Sequence, residues 1–107
     1  MKGFSGGMAQ LMKQANQMQL KLKKTQEEMA KKEFEATSGG GAVKVRVNGD
    51  NLILAVEINP DVVKEGDAEM LQDMILSATN EALKKAKAET SKEMEKVTGG
   101  MSIPGMF

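Results

Sequence analysis

The side chains best placed to do chemistry in this sequence are its lysines. Lys13, Lys24 and Lys31 are eleven and seven residues apart, which brings them to similar angles on a helix, and Lys21 and Lys23 lie nearby. Later in the chain Lys84, Lys85 and Lys87 cluster, and Lys92 and Lys96 extend the line from Lys85. Ammonium groups act as point charges that neutralise phosphate oxygens. Arg46 is the one arginine. Arginine is the usual reader of guanine edges, so any nucleic-acid binding by this surface is expected to be mostly phosphate-directed, with modest sequence preference. The plainer alternative is a solvated face laced with salt bridges, since Glu81–Lys85 and Lys85–Glu89 have the i,i+4 spacing of helical ion pairs.

Other chemistries find less support. The run Gly39-Gly40-Gly41 invites a phosphate-loop reading, but such a loop needs Lys-Ser/Thr opening a helix, and here a strand pattern follows. It reads as a turn. Glu57, Asp61, Glu65 and Asp67 could be offered as an acid pair or a divalent-cation site, yet they lack EF-hand spacing and read as solvated surface. There is no Cys and no His. Thiolate chemistry, disulfides, His general bases and ordinary zinc sites are thereby excluded, and a reducing cytoplasm is expected. No cofactor is implied. There is no Trp or Tyr, and Phe4, Phe34 and Phe107 are the three aromatics, which argues against stacking platforms for single strands. Ten methionines suit gap-filling in a core or seam, or an adaptable protein-binding surface.

Net charge is zero, but it is unevenly spread: residues 8–32 carry +4, residues 33–66 carry −3 and residues 67–98 carry −2. A polyanion would have to use a local basic surface. No apolar run approaches a membrane span, and the Gly-rich start has no signal-peptide core. The 107 residues are expected to form one domain.

The elements that must position these lysines are two helices around a hairpin. Residues 1–7 and 99–107 read as flexible tails, with Ser5 a candidate cap. From Met8 the series Leu11, Ala15, Met18, Leu22, Thr25 and Met29 alternates spacings of four and three, an a/d seam that predicts a helix over 8–32. Glu33 to Thr37 alternates as a short first strand. Val43, Val45 and Val47 alternate with polar residues, and Asn48-Gly49-Asp50-Asn51 is turn chemistry, because Gly and Asn tolerate positive φ. Leu52 to Val56 is unbroken apolar, so part of its outer face is expected to meet another surface. Asn59-Pro60 ends the third strand and 61–66 is a connector. Asp67 caps a second long helix, with Leu71, Met74, Ile75, Ala78, Ala82 and Ala86 at helical spacing until Gly99-Gly100.

Helices of about 25 and 30 residues would be roughly 37 and 45 Å long, against a radius of gyration near ~13 Å for a compact chain of this size. They must overhang any monomeric core. A homodimer with projecting helix ends follows, an α+β protomer in α-β-β-β-α order with a three-stranded antiparallel sheet.

The ordered set of segments resembles a known family. Met8-Ala9-Gln10-Leu11-Met12-Lys13-Gln14-Ala15, Gly39-Gly40-Gly41-Ala42-Val43, Asn48-Gly49, Ile58-Asn59-Pro60, Ala78-Thr79-Asn80-Glu81-Ala82 and Ile103-Pro104-Gly105 look like the YbaB/EbfC family of bacterial nucleoid-associated proteins. That resemblance implies an intertwined homodimer with helical arms like tweezers. It also implies duplex DNA as the partner, no catalytic activity and a place at the nucleoid. DNA contacts are then expected on Lys13, Lys21, Lys23, Lys24, Lys84, Lys85 and Lys87, with Asp67, Glu69, Asp73 and Glu81 near the dimer body. The alternative is an adaptor for replication or recombination proteins, recruiting them through Met-rich faces and the apolar tail Met101–Phe107. A carboxylate-metal enzyme is the third reading.

Overall fold

The computed structural model describes residues 2–99. Its elements are α1 (Lys2–Lys31), β1 (Glu33–Ser38), β2 (Val43–Asn48), β3 (Ile53–Ile58), α2 (Pro60–Lys64) and α3 (Ala68–Thr98). The strands form one antiparallel sheet in the order β1-β2-β3. Phe34 faces Val47, Ala36 faces Val45 and Ser38 faces Val43, so alternate residues of β1 and β2 share a face. A register shift at Arg46/Val47 interrupts the β2–β3 ladder. The α-β-β-β-α order and the α+β class stand as the sequence suggested.

The core is one layer of sheet against one helix. Phe34, Val43, Val45 and Val47 pack on Ala78, Ala82 and Ala86 of α3, and small residues at i, i+4 and i+8 let the helix approach the sheet. The other face of the sheet carries ion pairs, Lys44–Glu57 at 3.9 Å and Arg46–Glu33 at 3.0 Å. α3 lies chiefly over β1 and β2. β3 is left with Ile53, Leu54 and Val56 exposed, together with Leu52 before it.

Several local expectations need correction. α1 begins at Lys2, not at Met8, so Ser5 lies within the helix and is not its cap. The segment read as a connector after Asn59 contains α2: Asn59 Oδ1 accepts from the Asp61 N–H at 2.9 Å, and Pro60 takes the first helical position. The hairpin turn uses positive φ only at Asn51 (φ 62°). Asn48 Oδ1 braces that turn by accepting from the N–H groups of Asp50 and Leu52.

Gly49 answers a different demand. Its N–H donates to Lys32 O at 3.0 Å, and a Cβ there would fall 1.8 Å from Met29 O. Gly39-Gly40-Gly41 forms a 3-10 turn leading into β2, so the turn reading holds. Asp67 caps α3, accepting from the Met70 N–H at 3.0 Å, and Gly99 closes it in the left-handed region. The apolar tail Met101–Phe107 lies outside the described residues.

Candidate nucleic-acid interface

The two long helices build an arm. Gln14, Gln17, Met18 and Lys21 share a groove with Val97, whereas Gln26 shares one with residues from Leu83 to Met94. The helices therefore run antiparallel, and the turns of α1 before Gln14 extend past the end of α3. The seam follows this arrangement. Leu22 and Met29 are buried and Met18 and Thr25 half-buried, while Met8, Leu11 and Ala15 are exposed. Met94 and Thr98 are the buried residues of the outer half of α3. The a/d period is continuous along α1, but only its second half is covered.

The seven candidate lysines are all exposed. The ion pairs among the described residues are Lys44–Glu57, Arg46–Glu33 and Lys96–Glu93, and none uses these seven. They do not form one patch. Lys13 lies on the overhang of α1, and Lys21 lies near the end of α3 beside Val97. The α3 cluster divides. Lys87 lines the groove between α1, the hairpin turn and α3, and Lys84 stands between that groove and the hollow of Glu35 and Glu81. Lys85 turns to the β1 side, where its Nζ donates to Glu35 O at 3.3 Å and Glu35 and Glu81 stand beside it. The expected Glu81–Lys85 and Lys85–Glu89 bridges are not among the pairs formed. Lys96, at the end of the basic line, is engaged by Glu93 at 3.0 Å. That hydrogen bond and the charge of Lys96 hold the Glu93 carboxyl below its ordinary value.

The groove of Lys84 and Lys87 has a polar rim that the charge pattern did not reveal. Gln26 of α1, Asn51 of the turn, and Asn80 and Ser91 of α3 line it above an apolar floor of Leu83 and Met94. No carboxylate lines it. Of the acids expected near the dimer body, Asp67, Glu69 and Asp73 line a hollow beside Ser38 and Gly39, whereas Glu81 lines the one beside Lys85. Asn80 lay in a motif already noted, but Gln26 and Asn51 carried no signal, because three distant segments meet only in the folded chain. No group of three His, Cys, Asp or Glu side chains able to hold a metal occurs among the described residues.

This geometry defines an α+β protein whose sheet carries a long helical arm, basic along one groove and acidic at its root. The chain belongs to the YbaB/EbfC DNA-binding family, whose model matches residues 4–101. It is 55% identical to a nucleoid-associated protein of Clostridium novyi over 98% of this chain and 94% of that one. A nucleoid-associated protein of Clostridium acetobutylicum is 54% identical over 97% of this chain and 94% of its own length. An uncharacterized protein from Helicobacter pylori, known from a crystal structure, shares the fold with a TM-score of 0.72 at 23% identity, over 85% of this chain and 96% of that one.

Proposed function

We propose that this protein is a nucleoid-associated protein that binds duplex DNA through its phosphates, with little sequence preference, and shapes nucleoid organisation or gene expression. Membership of a DNA-binding family along residues 4–101 carries this reading. The mechanism is neutralisation of phosphates by Lys13, Lys21, Lys23, Lys24, Lys84 and Lys87 on the helical arm, with Lys85 contributing less because the Glu35 carbonyl and Glu81 compete for it. No catalytic residue is assigned. The working unit is a homodimer: the exposed apolar residues of β3 and an extent of 78 Å for a single chain support pairing at the sheet, with arms projecting. A duplex-DNA partner supports a place at the nucleoid, in the cytoplasm. No described helix is long and apolar enough to cross a membrane.

The test is fluorescence anisotropy of a short labelled duplex at two salt concentrations, with an unrelated duplex as competitor. Steep loss of affinity with salt and equal competition are expected. Replacing Lys21, Lys23 and Lys24 by Glu should abolish binding while the dimer persists. Affinity that survives this change would remove helix α1 from the interface. A second reading, an adaptor for replication or recombination proteins, is favoured by the exposed Met8, Leu11 and Met12 on α1. Absence of duplex binding even at low salt would turn the assignment to that reading.

A further inference from the structure

The groove between α1, the β2–β3 turn and α3 is built for more than charge. It encloses about 740 Å³, within the roughly 300–1,000 Å³ common for ligand clefts. Lys84 and Lys87 are one helical turn apart and both border this space, Lys84 also bordering the hollow of Glu35 and Glu81, so two ammonium groups are within reach of one occupant. The amides of Gln26, Asn51 and Asn80 add donors from three different elements. The half-buried Leu83 offers apolar contact. The absence of carboxylates distinguishes this groove from the hollow beside Lys85, which holds Glu35 and Glu81, and from the one at the root of α3.

A phosphodiester with its deoxyribose matches each of these features. Its oxygens accept from the lysines and amides, and its sugar carbons rest on Leu83. We propose that this groove seats the sugar-phosphate backbone of one strand of the duplex, and that Asn51, Asn80 and Gln26 are binding residues alongside Lys84 and Lys87. This rests on the DNA-binding reading and locates where on the arm one backbone is held. Neutral donors fix the register of the strand against the arm, while the lysines supply most of the salt-dependent attraction.

The closing experiment compares two double variants of the full-length protein across a salt series. Asn51→Gly with Asn80→Ala removes two amides without changing charge. Gly accepts the φ of 62° at position 51, and Ala suits the interior of α3. A five- to tenfold loss of duplex affinity with an unchanged salt slope is expected. Lys84→Gln with Lys87→Gln should weaken binding and lower the slope by about 1.8, since each phosphate neutralised contributes about 0.9. Duplex should also shift the NMR signals of the Asn51 and Asn80 side-chain amides, whereas inorganic phosphate at the same phosphate concentration should not. If the amide variant binds as the parent does, or if inorganic phosphate alone reproduces the shifts, the groove is not a backbone seat, and binding by the unaltered protein would still stand. If the unaltered protein does not bind duplex, both readings fall together.

Discussion

At the scale of single residues, Gly49 and Glu93 carry the clearest expectations. Gly49 is needed because the turn touches the backbone of α1, not because its own backbone is unusual. A methyl group at this position meets Met29 O, which cannot rotate away. Gly49→Ala should therefore destabilise the fold by about 1–3 kcal/mol, the cost of an overpacked site, measured by urea unfolding. Glu93 behaves oppositely, as a half-exposed group with a specific partner. Lys96 holds its carboxyl below the ordinary value. Because the folded value is lowered, the stability it contributes is present above the ordinary carboxylate range and is lost as pH falls through the lowered value. The effect is small in solvent. A carboxyl-carbon NMR titration should place the Glu93 midpoint lower in the parent than in Lys96→Met.

At the scale of elements, the seam on α1 is one period in sequence and two environments in space. Leu22→Ala empties a buried position and should cost about 2–5 kcal/mol, whereas Leu11→Ala, on the exposed turns, should stay within about 0.5 kcal/mol. A difference in urea midpoint between the two variants checks this. Elements governed by local chemistry were legible before the structure: the Val43–Val47 alternation, the Asp67 cap, the Gly99 stop and the Ala78–Ala82–Ala86 face. The start of α1 was not, because Gly3, Gly6 and Gly7 are poor helix formers. α2 was missed because Asn59-Pro60 was read only as the end of a strand, although Asn followed by Pro also opens a helix. The division of the seam was hidden because it depends on where α3 stops. The unequal placing of the lysines was hidden for the same reason: Lys84 borders both the carboxylate-free groove and the hollow of Glu35 and Glu81, Lys85 only the second and Lys87 only the first.

At the scale of the whole molecule, the described chain measures 78 × 19 × 17 Å with a radius of gyration of 20.9 Å, well above the ~13 Å of a compact chain of this length. Overhang inferred from helix length is thus present in the protomer itself. A sheet covered on one face by a single helix leaves β3 to be covered by something else, and a second copy is the expected occupant. If two copies pair at this strand, Val56→Lys, at a position 43% exposed on β3, should sediment as a monomer at micromolar concentration where the parent sediments as a dimer. A parent protein that sediments as a folded monomer would refute the pairing.

The contact between Gly49 and Met29 has a mechanical consequence at this scale. It sits at the end of α1 nearest the sheet, and the helix extends about 45 Å from there. A tilt of ten degrees at that pivot would carry the far tip through roughly 8 Å over such a length. The turn is therefore a lever stop. An atom added at residue 49 would change the span between arm and sheet some tens of ångströms away, far from anything Gly49 itself touches.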